Sequence, residues 1–438
     1  MLFCCCKVNA TDIFNILQYG AKVNELSTKA IQDVIDDCHQ RGGGMVYIPA
    51  GQFISGTFFH DPDVRHGGGD FDKQFTRQKE NFLNPEYGFK DGPIAYKRRP
   101  GMQLVMMYCE LITLKDFTML DAPFWSIRLG DCVDIVLEGV RIFNNLLIPN
   151  SDGIHLTPSR NVRISNCDLR CGDDAIIVTG FPYLLDSSGD HAVIAREGKQ
   201  YGNFTDFSEN VTVTNCMLQS RSAGIRIGYG HFPVRNCIFS NLVIYDSNRG
   251  IGIFAREVKA TIENIFFVNI FINCRLLQGN WWGMGDPIHV SSIPRLPNDM
   301  AGIIRNVRFS NITAESEAGI VVWGDNPDDI QDLNFENVRI HIKESQLANH
   351  FGGNFDLRPT NSRATSIFEH DIPAIFARNV NGFQLKDISV IWSGKLLPFY
   401  THALECENVQ GLVSIRFNGK AAQSSLPPFN LKNTTEIK

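Results

Sequence analysis

The chain has 438 residues and a formal net charge of −6. That balance argues against general nucleic-acid binding, which wants a basic face, while still allowing arginines gathered in one groove to receive an anionic ligand. Hydrophobic residues at 43% against 20% charged exclude a disordered chain, and no apolar run reaches the roughly 20 residues of a membrane span, so neither nucleic acid nor membrane is expected as a partner.

Residues 1–6 are too short for the apolar core of a signal peptide. They read either as the remnant of one or as an artefact of the start site. A short strand is predicted over 13–19. Ser27-Thr28 can cap a helix over 29–39, with Ala30, Ile31, Val34, Ile35 and Cys38 as its apolar stripe. Gly42-Gly43-Gly44 ends it, and 45–49 is the next strand. A helix with short strands suits the open end of a solenoid, which otherwise exposes unpaired backbone.

From residue 100 a repeat sets in: CELITLKDFTML (109–120), CVDIVLEGVRIF (132–143), RNVRISNCDLRC (160–171), ENVTVTNCMLQS (209–220), RNCIFSNLVIYD (235–246), IENIFFVNIFIN (262–273), IRNVRFSNITAE (304–315), IQDLNFENVRIH (330–341) and VNGFQLKDISVI (380–391). Each unit is an alternating strand, a polar Asn, Asp or Glu-Gly bend, and a second alternating strand. Asn and Asp tolerate left-handed backbone. Bend chemistry recurring at one phase predicts an all-β fold, a right-handed parallel β-helix with an N-terminal capping helix, over a large antiparallel β protein. Abundant Phe (31) suits stacked interior ladders. The whole chain, 1–438, is expected to be one domain. Residues 1–60 would form the cap and first coils, and 100–420 the helical coils. Segments 52–100, 180–208, 275–303 and 343–378 interrupt the repeat and would wall a groove.

Twelve cysteines are present, Cys4, Cys5 and Cys6 in a row. None is paired at zinc-ribbon spacing, and most of the others read as buried apolar residues.

Two segments carry chemistry: Asn150-Ser151-Asp152-Gly153 and Cys171-Gly172-Asp173-Asp174. Asp152 and Asp173 are 21 positions apart (173 − 152), one compact coil, and neighbouring coils stack about 4.8 Å apart. Three carboxylates that close raise at least one pKa. A protonated carboxylic acid beside an ionised carboxylate is what glycoside hydrolysis requires. An Asp ladder stabilising turns, or a calcium site, is the alternative. The placement of the pair in a strand pattern one coil beyond a third Asp favours catalysis. Adjacent strand residues point to opposite faces, so both can reach solvent only if the chain bends, and Gly172 permits that.

These residues resemble glycoside hydrolase family 28, the polygalacturonase family, over about 13–60 and 100–420. The family's Asn-x-Asp matches Asn150/Asp152, and its Asp-Asp matches Asp173/Asp174. The resemblance implies single-displacement hydrolysis with inversion, Asp173 as general acid, and Asp152 and Asp174 holding the water. The family's Gly-His-Gly is Ser222-Ala223-Gly224 here, and its carboxylate-binding Arg-x-Lys is Gly252-Ile253-Phe254. Arg226, on the next coil, is expected to take over the sugar carboxylate. Arg249, Asn150 and His155 are further substrate-binding candidates, with Tyr229 and His231 weaker ones. Trp281 and Trp282, paired in a Gly-rich loop, can stack on sugar rings or anchor the loop. Residues 57–75 look shortened against the family.

The expected activity is therefore inverting hydrolysis of a pectic or related acidic polysaccharide or oligosaccharide, exo-acting rather than endo-acting, with no metal and no cofactor. A calcium-dependent pectate lyase-like enzyme and a non-catalytic glycan-binding β-helix are the alternatives. A monomer is expected, secreted or periplasmic, with a cytoplasmic location left open.

Overall fold

A computed structural model describes residues 12–56, 58–59, 101–181, 207–258, 260–278, 281–295, 299–358, 360 and 367–437. Residues 60–75 of the shortened segment, much of the predicted loops 52–100 and 180–208, and Cys4, Cys5 and Cys6 lie outside them.

At the N-terminal end, strand Ile13–Asn15 pairs in parallel with Met45–Tyr47. The strand predicted over 13–19 stops at Asn15, whose side chain accepts from the Leu17 N–H at 3.0 Å and starts a short 3-10 turn, Ile16–Tyr19. The helix runs Thr28–Gln40 and buries Ala30, Ile31, Val34 and Cys38. These pack with Phe14, Ile16 and Ala21, and Leu104 of the solenoid packs against the cluster, so the helix caps that end. Ser27 does precede the helix, but its hydroxyl is turned back to the Lys22 and Glu25 carbonyls rather than onto helix N–H groups.

The rest is a parallel β-helix. Every predicted unit forms its strands, and consecutive units stack in parallel. Arg160–Ser165, for example, sits between Val133–Glu138 and Ser208–Thr214. Later coils fuse the two strands of a unit into one bent strand, as in Val234–Ser247 and Thr261–Cys274. Alternate residues enter the core. Ile127, Ile154, Ile176, Ile225, Ile251 and Ile288 follow one another in register, all fully buried. The expected Phe ladder is there as well. Phe239, Phe267, Phe309 and Phe335 stack with centroids 5.0, 4.9 and 4.7 Å apart, the spacing of the coils themselves.

The bend residues occupy left-handed backbone, Asn166, Asn215, Asn241, Asn269, Asn311 and Asn337 among them. A second such column opens each unit: Asn161, Asn210, Asn236, Asn264 and Asn306. Amides in each column bond to the one below, as from Asn264 Nδ2 to Asn236 Oδ1 at 3.0 Å and from Asn311 Nδ2 to Asn269 Oδ1 at 3.0 Å. The ladders satisfy polar groups at the corners, where the sheet turns. The nine described cysteines outside the first residues are free and buried, as expected of apolar fillers.

Candidate active site

Asp152 and the Asp173-Asp174 pair stand in bends leading into two neighbouring strands, Ile154–Leu156 and Ile176–Gly180. The pair does not lie within a strand, as its sequence pattern suggested. Ile154 is opposite Ile176, so counting back two residues on each sets Asp152 beside Asp174, with Asp173 one position earlier. The Gly153 N–H donates to the Asp174 carbonyl at 2.9 Å and ties the bends together.

Space demands the glycines here. A Cβ on Gly153 would stand 2.3 Å from the Ala175 carbonyl oxygen, and one on Gly172 would stand 2.1 Å from that of Ile148. Both distances are far inside contact with backbone, so any side chain must push coils apart. Gly172→Ala is expected to cost at least the roughly 1–3 kcal/mol of an overpacked core site. A thermal melt checks this, and an unchanged midpoint would mean the bend has slack.

The next coil brings Arg226. Its strand, Ala223–Gly230, sets Arg226 opposite Ile177, on the outward column that continues from His155. Arg226 Nε donates to Asp174 Oδ2, and the Ala223 N–H donates to Asp174 Oδ1 at 2.9 Å. Arg226 Nη2 lies 4.0 Å from Asp152 Oδ2. Two buried polar atoms of this cluster, Arg226 Nη1 and Asp152 Oδ1, have no hydrogen-bond partner among the described residues. Leaving such atoms unpaired costs about 1–3 kcal/mol each, which is expected of a site shaped for something else to fill.

Asp173 is half-buried. Its Oδ2 accepts from the Asn150 N–H at 3.0 Å, and its Oδ1 from the Asp174 N–H at 3.0 Å. Burial and the neighbouring Asp174 charge push its pKa up to about 7, overcoming the Asn150 N–H and the Arg226 charge. Burial, then the Asp173 and Asp174 charges, hold Asp152 well above the usual carboxylate range. One oxygen from each of the three carboxylates lies within 4.8 Å of the others. Two hydrogen bonds of about 2.8 Å from a single water span roughly that gap. The cluster can therefore keep one carboxylic acid protonated at neutral pH while its neighbours hold a water.

Other predicted site residues are placed differently from one another. Asn150 holds Asp173. His155 is fully buried under Trp125, ring centroids 3.7 Å apart, with Nδ1 3.7 Å from Asp152 Oδ2, so it backs the cluster from beneath. Arg249 is buried and donates from Nε to Asp286 Oδ2 at 2.6 Å and from Nη2 to the Asp356 carbonyl at 3.1 Å. Those bonds brace the loop around Asp286. Trp281 is 1% exposed and offers no face to a sugar. Its carbonyl accepts from Arg358 Nη2 at 2.9 Å, so it anchors the loop, while Trp282 is half-buried with the Arg358 guanidinium 5.9 Å over its ring.

The bracing network of Asp286, His289, Asp356 and Arg358 carried no assigned role in the sequence, although Asp286 and His289 stand in the Gly-Trp-Trp segment. By distance, Asp286 Oδ2–His289 Nδ1 (3.1 Å) and His289 Nε2–Ser291 Oγ (3.1 Å) resemble a nucleophilic triad. All three residues are at most 2% exposed, and burial followed by the Arg249 charge lowers the His289 pKa to about 4. No substrate reaches a serine so enclosed, and the trio is structural. A second acidic group, His370, Glu405 and Glu407, is already served by Lys432 Nζ at 3.2 and 3.1 Å from the two glutamates.

Among the described residues no helix is long and apolar enough to cross a membrane. The family model described as glycosyl hydrolases family 28 matches residues 91–274, the coils that build the carboxylate cluster. A polygalacturonase of Brassica napus is 29% identical over 168 residues, 37% of this chain and 40% of that protein. An exopolygalacturonase of Zea mays is 26% identical over 252 residues, 49% of this chain and 61% of that protein. The chain thus matches less than two thirds of the length of these relatives. The family 28 exopolygalacturonase of Yersinia enterocolitica superposes with a TM-score of 0.54 at 14% identity, over 93% of this chain and 79% of that one, which is a likeness of fold. The coils that carry Asp152, Asp173, Asp174 and Arg226 are thus the part of the chain that is similar to glycoside hydrolase family 28.

Proposed function

We propose that this protein hydrolyses glycosidic bonds of a pectic or related acidic polysaccharide or oligosaccharide, with Asp173 as the general acid. The observation carrying this is a half-buried carboxylic acid with a pKa of about 7 beside a carboxylate locked to a buried arginine. Asp173 protonates the leaving oxygen, Asp174 and Asp152 hold the attacking water, and Asp174, the carboxylate paired with Arg226, takes its proton. Inversion is the outcome that the similarity of residues 91–274 to family 28 favours. The oxygens are closer than the about 6.5–9.5 Å usual between the carboxyl groups of inverting pairs. The third carboxylate offsets this, because water sits between Asp152 and Asp174 rather than between acid and base. The unpaired Arg226 Nη1 binds the sugar carboxylate. Exo-action, a monomeric single-domain chain and a secreted or periplasmic location complete the proposal.

Release of reducing ends from oligogalacturonates and rhamnogalacturonan fragments tests it. No release from any acidic glycan would sink it. EDTA is expected to leave the rate unchanged, because the Arg226 guanidinium already supplies positive charge to Asp174. Loss of activity on chelation, with products absorbing in the ultraviolet, would favour a lyase instead.

A further inference from the structure

Beside the carboxylates, one residue is held in a conformation its side chain disfavours. Tyr229 has φ +61° between Gly228 at +104° and Gly230 at +88°. A non-glycine residue in left-handed backbone is strained, and bulky ones rarely adopt it. Here the surroundings impose it. A Cβ on Gly228 would lie 2.0 Å from the Phe254 carbonyl oxygen, and one on Gly230 would lie 2.2 Å from Gly180 backbone. The strand below slips register between Val178 and Gly180, with Gly180 opposite Gly230, so the three residues form a bulge clamped from both sides.

Such bulges re-aim a side chain, and the ring here meets the active site. The Arg226 guanidinium carbon lies 4.4 Å from the Tyr229 centroid. Phe181 and Phe254 flank the ring at 6.0 and 5.6 Å. Arg226 is thus held between the Tyr229 ring and Asp174, with Nη1 unpaired. Tyr229 remains half-buried, and no hydrogen bond among the described residues uses its hydroxyl. Burial lifts its pKa to about 12, so the hydroxyl stays a neutral donor. Strain that serves only packing would be relieved by glycine at this position, which takes the same φ freely.

We propose that Tyr229 is a specificity residue of the site: its ring holds the Arg226 guanidinium in place, and its hydroxyl hydrogen-bonds the acidic sugar whose carboxylate Arg226 receives. This rests on the proposed binding of an acidic glycan, but not on its hydrolysis.

The test is calorimetric binding of an oligogalacturonate in the Asp173→Asn background, so that no turnover disturbs it, with thermal melts alongside. Tyr229→Phe keeps the ring over Arg226 and is expected to weaken binding about tenfold, the scale of one net hydrogen bond. Tyr229→Gly relieves the left-handed strain, so its melting midpoint should equal or exceed the parent's while binding weakens more than in Tyr229→Phe. Native affinity in both variants, a lower midpoint in Tyr229→Gly with unchanged affinity, or no binding by the parent would each overturn the proposal. Binding that depends on Tyr229 in a protein that cleaves nothing would leave this inference standing and remove the hydrolytic reading.

Discussion

Asp173→Asn is expected to lower kcat on acidic oligosaccharides by about 10²–10⁴-fold, the usual contribution of a positioned general acid. The fold should survive, because the amide oxygen can still accept from the Asp174 N–H that Oδ1 now serves. The pH dependence carries the same assignment. Asp173 must be protonated to act, so native activity should fall as pH rises through about 7. Stability gives a second readout. The folded pKa of about 7 lies above the ordinary 3.8, so the folded state binds more protons between those values. Stability from this group is then fully present below about 4 and is lost as pH rises to about 7. Thermal melts across that window should show the decline in the native protein and a flatter profile in Asp173→Asn. An equal decline in both would move the proton to another group.

Arg226→Met is the second large effect. Removing one partner from a buried ion pair costs about 3–5 kcal/mol, because Asp174 loses its buried counter-ion. Activity should fall about 10²–10³-fold with the loss of a preorganised charge. The sign of the pH shift is fixed as well. Arg226 lowers both Asp152 and Asp173, so without it both titrate higher and any residual activity should peak at higher pH. Arg226→Lys should not rescue it, since an ammonium cannot reproduce the guanidinium geometry. Rescue by lysine, read in kcat and in the pH profile, would reduce Arg226 to a point charge.

The solenoid was legible because its corners demand left-handed backbone coil after coil, and Asn and Asp mark such corners in plain sequence. The second Asn column, at positions such as Asn210 and Asn264, follows the same rule. Its members open units rather than interrupting them, so no break in the strand alternation marks them. The carboxylate cluster was legible from spacing to within one residue: the 21 positions from Asp152 to Asp173 suggested one coil, and the register of Ile154 on Ile176 makes that coil 22 (176 − 154). What spacing could not give was direction. Arg249 and Arg226 lie in two paired strands, yet Asp286 claims the first and Asp174 the second. Asp286 comes from a loop whose path no periodicity encodes. Trp281 turns inward for the same reason, bound to Arg358 from a segment 77 residues away. The Ser27 cap failed because its hydroxyl oxygen accepts from the Lys22 N–H at 3.1 Å instead of from a helix N–H.

The most direct measurement is proton NMR of the products as the native protein cleaves an oligogalacturonate. Hydrolysis with Asp173 as acid and a water held by Asp152 and Asp174 predicts a saturated product whose new reducing end first appears as the anomer opposite to the cleaved linkage. First appearance of the same anomer would mean a covalent intermediate on one of the three carboxylates, and an unsaturated product would mean elimination; either would contradict the mechanism.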